Sequence, residues 1–80
     1  MHHVYLLRSI EHPDQSYVGF TEDMKQRLTD HNAVHCTHTS KSRPWELVAV
    51  ISFANRERAL LFERYLKSGS GRAFTARHFR

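Results

Sequence analysis

The sequence predicts a small α/β domain in which a three-stranded antiparallel sheet is flanked by helices, in the order β-β-α-β-α-α. Three observations favour this class: two tyrosine-bearing runs joined by a polar turn, a longer β-rich run at 45–53, and two segments with apolar residues at helical spacing. Eighty residues, 40% of them hydrophobic, are enough for one core, so residues 1–80 are predicted to form a single domain.

The first two strands, residues 3–7 and 17–20, are predicted to form a hairpin because the polar segment between them contains a Pro-Asp turn signal. Side chains alternate along a strand, so Tyr17 and Gly19 share one face. A register that brings Tyr5 to that face would set two phenols side by side, although strand tyrosines are also ordinary packing residues. The sequence does not fix this register.

A first helix is predicted over residues 22–32, with Thr21 as its N-cap. At about 100° per residue, its sheet-facing stripe consists of Met24, Arg27, Leu28 and His31. An ordinary amphipathic helix carries apolar residues on such a stripe, so a cation and an imidazole there indicate a polar site. The alternative is that Arg27 reaches solvent from the edge of the stripe and His31 is a hydrogen-bonded core histidine.

Residues 35–44 form a predicted polar loop, and its Lys41 and Arg43 suit phosphate contacts unless the loop is simply solvated. Residues 45–53 predict the third strand, with the odd-numbered side chains on one face. After residue 70 we expect a short basic helix packed by its phenylalanines.

The second helix is predicted over residues 56–68, capped by Asn55 and followed by Gly69 as its C′ residue. Glu63 lies near the centre of its apolar stripe. A carboxylate in that position is costly unless it is paired, protonated or bound to a cation. Glu63 is therefore predicted either to hold a metal ion or to form an internal ion pair with Arg27.

The charge balance favours a polyanionic partner, because nine arginines and three lysines give a formal net charge of +4 and a pI near 9.7. The apolar runs are too short for a membrane span, and the single cysteine, Cys36, suits a reducing compartment. We therefore expect a cytoplasmic protein without a membrane partner. A further hypothesis, a zinc cluster, lacks the separated ligand pairs of structural zinc sites and would use His31, His35, Cys36 and His38.

Phosphodiester hydrolysis requires an activated water, a proton acceptor, a Lewis acid and a cation on the phosphate. Residues of these types are predicted on inward faces, namely Tyr5, Tyr17, Arg27, His31 and Glu63. With Val4-Tyr5, Tyr17-Val18-Gly19, an arginine ten residues after the second tyrosine and a glutamate on the later helix, the chain resembles the GIY-YIG nuclease family over nearly its whole length. The stretches VYLL, YVGFT, RPWELV and YLKSG resemble the small, single-domain bacterial branch of that family.

The resemblance implies a metal-dependent endonuclease acting on DNA, in repair or in the processing of structured or single-stranded DNA, with RNA also open as a substrate. It implies that Tyr5 or Tyr17 helps to activate the water, that Arg27 binds the phosphate, and that Glu63 holds one Mg²⁺ or Mn²⁺. His31 occupies a position where the family carries histidine or tyrosine. The candidates for substrate binding are Lys41, Arg43, Lys67 and Arg72.

Three positions depart from the family pattern. His3 replaces the first glycine of the family name, Phe20 stands where some branches have lysine, and Thr75 lies near the late asparagine of several branches. These departures keep a second hypothesis open, a nucleic-acid-binding module with the nuclease fold but weak or no catalysis. In either case the chain could act as a homodimer or within a larger repair complex.

Overall fold

The fold, which a computed structural model describes over residues 1–33 and 40–79, has three strands and three helices. They are β1 (His2–Ser9), β2 (Ser16–Thr21), α1 (Met24–Asn32), β3 (Trp45–Phe53), α2 (Arg56–Lys67) and α3 (Gly69–His78), with a 3-10 turn at Ser40–Ser42. This order confirms the predicted fold class. Within the described ranges, no helix is both long and apolar enough to cross a bilayer.

Strand β1 lies at the centre of the sheet, between β2 and β3, and pairs antiparallel with both. Its four residues from Val4 to Leu7 are each no more than 3% exposed. Val4 packs with Ala59 and Leu66 on one face, which α2 and α3 cover. Tyr5 and Leu7 pack on the opposite face, against α1. We call these the α2 face and the α1 face.

The hairpin register brings the two phenols together. Tyr5 lies opposite Gly19, and Leu7 lies opposite Tyr17. Both tyrosines are therefore on the α1 face, with their ring centroids 6.2 Å apart. A Cβ on Gly19 would overlap the ring and hydroxyl of Tyr5. Glycine is needed at this position so that the Tyr5 ring can lie across β2.

A β-bulge divides the third strand between the two faces. Leu6 pairs with Ala49, but Leu7 pairs with Leu47, so the β1–β3 register shifts by one residue between them. As a result, Trp45 packs on the α1 face and Phe53 packs on the α2 face. The prediction that the odd-numbered residues of β3 share one face is therefore wrong, because a bulge reverses the alternation.

The N-cap predicted for α1 is also wrong, because another side chain makes the capping bond. Asp23, not Thr21, caps α1, and its carboxylate accepts the Gln26 N–H at 3.1 Å. Ser68 both ends α2 and caps α3, accepting the N–H of Gly71 at 3.2 Å. Gly69 directly follows this C-cap, as predicted, and is also the first residue of α3, without the left-handed conformation that usually favours glycine at C′.

Gly71→Ala should destabilise the fold, because a Cβ at this position would overlap backbone atoms of Tyr65 and Leu66. We expect the free energy of unfolding to fall by about 1 to 3 kcal/mol in urea denaturation. Gly69→Ala is the matched control on the same helix, since a Cβ there meets no atom within 4 Å. Alanine favours the helix, so this control should be unchanged or slightly more stable. Equal losses in both variants would contradict close packing of α3 on α2.

Candidate active site

Three aromatic rings from three elements meet on the α1 face. Tyr5 of β1, Tyr17 of β2 and His31 of α1 form this aromatic cluster. The Tyr5 hydroxyl lies 2.8 Å from His31 Nε2 in a buried hydrogen bond. The ring centroids of Tyr17 and His31 are 4.8 Å apart. The structure thus brings together three of the residues that the sequence predicts to be catalytic.

The environment of His31 favours its neutral form. Its side chain is 2% exposed, and burial lowers its pKa below the ordinary value of 6.5. The positive charge of Arg27 lowers the pKa further, and the negative charge of Asp30 partly offsets both effects. In a neutral imidazole, one ring nitrogen is an acceptor. In the tautomer with a bare Nε2, His31 accepts the Tyr5 hydroxyl proton and is placed to take it fully.

Asn32, whose role the sequence does not predict, fixes the end of α1 against the sheet. Its side-chain oxygen accepts the N–H of Trp45 at 2.5 Å, and its side-chain nitrogen donates to the Trp45 carbonyl at 3.2 Å. This pair of bonds holds the first residue of β3 beside the last turn of α1 and so orients the preceding His31. The only sequence signal was an asparagine at a helix end, which has many common uses.

Arg27 and Glu63 do not pair with each other. Arg27 lies one turn before His31 on α1, is partly buried, and forms no ion pair within the described part of the chain. Glu63 belongs to α2, on the opposite face of the sheet, where its carboxylate lies 3.3 Å from Lys67 Nζ. The alternative of an internal ion pair between Arg27 and Glu63 is therefore wrong. Glu63 pairs with Lys67, four residues later on the same helix. No described hydrogen bond joins Glu63 to the aromatic cluster.

The four predicted substrate-binding cations lie at one end of the sheet, where β1 ends and β2 and β3 begin. Lys41 and Arg43 are exposed, and the segment that carries them bonds to the end of β1, since the Ser9 hydroxyl donates to the Ser42 carbonyl. Lys67 and Arg72 line an open groove of about 520 Å³ beside the free edge of β2. We call it the β2-edge groove; its polar lining includes Gln15, Ser16, Tyr17, Lys67, Arg72 and Thr75.

The proposed zinc ligands other than His31 lie outside the described residues. Among residues 1–33 and 40–79, no group of three or more His, Cys, Asp or Glu side chains is arranged to hold a metal. Of the predicted loop at 35–44, the structure describes residues 40–44, which begin with the 3-10 turn.

Known proteins similar to this chain share the predicted family. The GIY-YIG catalytic domain family matches residues 1–76. The chain is 38% identical, over 94% of its length, to a structure-specific endonuclease subunit SLX1 from Candida dubliniensis. It is 43% and 40% identical, over 74% of its length in each case, to the proteins of that name from Ajellomyces capsulatus and Talaromyces marneffei.

The shared region is a minor part of these relatives. The chain spans 27%, 15% and 17% of their respective lengths. All three come from fungi, so they give no support to the narrower prediction of a small, single-domain bacterial branch. The likeness extends to the domain that contains the aromatic cluster, and no further into those proteins.

The buried His31 predicts a loss of stability in mild acid. A histidine whose pKa is lowered by folding binds fewer protons in the folded state than in the unfolded state. The free energy of unfolding should therefore fall as the pH decreases through 6.5. Urea denaturation from about pH 7 to about pH 5 measures this fall.

His31→Gln removes the titrating group and should flatten that pH dependence. His12→Gln, in the exposed turn between β1 and β2, is the control and should keep the slope of the wild type. If the two variants lose the same part of the slope, the acid sensitivity does not come from the aromatic cluster.

Proposed function

Because the chain belongs to the GIY-YIG family, we propose that it is a divalent-metal-dependent endonuclease that hydrolyses phosphodiester bonds in DNA. The observation that supports this function most strongly is the buried bond between the Tyr5 hydroxyl and His31 Nε2, 2.8 Å long, with Tyr17 packed against the same imidazole. A guanidinium, that of Arg27, lies one helical turn before this imidazole. These three groups can move a proton and stabilise negative charge on a phosphate, which are two requirements of phosphodiester hydrolysis.

In the proposed mechanism, a tyrosine activates the attacking water and His31 takes the proton. A phenol has a pKa of about 10, so it is a poor base until it has passed its own proton on. A neutral His31 at hydrogen-bond distance provides the acceptor for Tyr5. Arg27, beside this pair, contributes a positive charge to the phosphate, where negative charge grows in the transition state.

Glu63 is the proposed ligand of the divalent ion. Mg²⁺ commonly binds through one or two carboxylates together with waters and substrate phosphates, so it does not require a cluster of protein ligands. A mostly buried carboxylate on α2 can be such a ligand if its exposed lysine partner moves away when the ion binds. When bound, the ion would supply Lewis acidity for the phosphate oxygens. One Mg²⁺, or Mn²⁺ in its place, is our proposal for its identity and number.

The relatives suggest the class of substrate and a partner. They are named structure-specific endonuclease subunits, so we propose structured DNA as the substrate, repair as the setting, and a partner subunit as part of the working enzyme. Homodimer formation, the cytoplasm as the compartment, and a place in the bacterial branch of the family stay predictions.

A second candidate function is nucleic-acid binding without cleavage. It is favoured by the separation of Glu63 from the aromatic cluster, because the sheet lies between α2 and α1. The departures at His3, Phe20 and Thr75 point the same way. Incubation with branched, single-stranded and duplex DNA and with RNA, in Mg²⁺, Mn²⁺ or chelator, tests both functions. Products that require metal establish the nuclease, and binding without products establishes the module.

Glu63→Gln should abolish metal-dependent cleavage and leave the fold nearly as stable. Its described ion pair joins side chains that are 54% (Lys67) and 20% (Glu63) exposed, and such pairs contribute at most about 1 kcal/mol. Cleavage assays and thermal melts with and without Mg²⁺ measure both effects. Glu57→Gln, exposed on the same helix, is the control and should cleave normally. A variant that melts far below the wild type but still cleaves would show that Glu63 is structural.

Arg27→Ala should lower the single-turnover cleavage rate by about 100-fold or more, with little change in DNA affinity, because its charge acts mainly on the transition state. Lys41→Ala and Arg43→Ala should instead weaken binding and make its salt dependence shallower by roughly one phosphate contact each. Fluorescence anisotropy over a salt series separates the two classes. The same loss of affinity in all three variants would contradict these roles.

A further inference from the structure

The β2-edge groove contains a buried hydroxyl without a described partner. Thr75 of α3 is 5% exposed and lines the groove, and its Oγ1 makes no hydrogen bond within the described residues. Burying a hydroxyl without a partner is costly. Because Thr75 lines the groove, a ligand bound there is a possible partner for this hydroxyl.

The charge of the groove suits a phosphate. Lys67 and Arg72 line it together with Thr75, and Asp14 is the one carboxylate among its described lining residues, so the lining carries two cations and one anion. Lys67 Nζ also lies 3.3 Å from the carboxylate of Glu63, which is outside the lining. Both cations are exposed and belong to different helices, so their side chains can approach the same group from two sides. Two cations and a hydroxyl donor are the groups that most often contact nucleic-acid backbones.

The groove also continues from the aromatic cluster. Tyr17 belongs to both, because β2 is an edge strand and its first residues are reached from either face of the sheet. The volume of about 520 Å³ falls within the range of pockets that bury one small ligand. One nucleotide fits such a space, whereas a duplex can only lie across its rim.

We propose that the β2-edge groove is a subsite for one nucleotide of a single DNA strand, next to the bond that is cut. Lys67 and Arg72 bind the phosphate of this nucleotide, and the Thr75 hydroxyl donates a hydrogen bond to it. The proposal rests on the proposed function, because that function places the reacting phosphate at the aromatic cluster. The subsite adds to that function a path for the DNA strand, which runs from the aromatic cluster around the edge of β2.

Binding measured in chelator tests the subsite independently of cleavage. The probes are a short fluorescent single-stranded oligonucleotide and a blunt duplex of the same sequence. Arg72→Gln and Thr75→Val should each weaken single-strand binding by roughly five- to tenfold, which is within the range expected for the loss of one hydrogen bond. Duplex binding should change by less than about twofold. Arg72→Gln should also make the single-strand salt dependence shallower by about 0.7 in log–log slope.

Matched controls separate the groove from general surface charge. Arg77→Gln changes an exposed arginine on the same helix, outside the groove, and Thr29→Val removes an exposed helical hydroxyl on α1. Neither control should change the affinity for the single strand more than the affinity for the duplex. Thr75→Ser keeps the hydroxyl and should bind as the wild type does. Thr75→Val, which removes a hydroxyl without a partner among residues 1–33 and 40–79, should melt no lower than the wild type, so its binding loss would not reflect unfolding.

The subsite is overturned if Arg72→Gln behaves as Arg77→Gln does, or if Thr75→Val binds the single strand normally. It is also overturned if Thr75→Val lowers the melting temperature, because the hydroxyl then has a structural role. Cleavage assays of the same variants with Mg²⁺ keep the two proposals apart. Selective binding losses in a protein that cuts no DNA support the subsite and reject the endonuclease. If the protein cuts DNA in the presence of metal but the groove variants bind as their controls do, the endonuclease is supported and the subsite is rejected.

Discussion

The burial of β1 on both faces is the constraint on which the rest of this fold depends. Strands pair on either side of it and helices cover it above and below, so four consecutive side chains lose almost all contact with solvent. One of these is Tyr5, whose hydroxyl would be costly to bury alone. His31 supplies its partner, and Asn32 holds that part of α1 in place. The same packing that stabilises this small core therefore builds the phenol–imidazole pair.

Much of the fold could be predicted because its signals are local. The β-rich run at 45–53 gives β3 its observed limits, and the Pro-Asp turn and alternating residues give the hairpin. Helix ends were harder, since neighbouring residues compete for one capping bond. Thr21 and Asp23 are both good N-caps, and only the bond from the Gln26 N–H shows which one is used. The bulge in β3 leaves no mark in the spacing of apolar residues, so the change of face could not be predicted.

The site divides in the same way. Tyr5, Tyr17 and His31 could be grouped from sequence because a period of two and a period of 3.6 each point one side chain inward, given one hairpin register. Whether Arg27 and Glu63 lie close together could not be predicted. Each lies on the sheet-facing stripe of its helix, but α1 and α2 cover opposite faces. Which face a helix covers depends on the path of the chain, and the spacing within the helix does not carry that information.

This arrangement gives the free edge of β2 its importance. Edge strands are a liability because their unpaired backbone groups invite other strands, and proteins often keep them short. Here β2 has six residues and separates the aromatic cluster from the helix that carries Glu63. A substrate that touches both faces has to pass around an edge of the sheet, because helices cover both faces, and the edge formed by β2 is the one beside Tyr17. Tyr17, which reaches both the aromatic cluster and the β2-edge groove, lies where such a path would cross. A narrow, flexible polyanion can bend around a short edge strand, and a rigid duplex cannot.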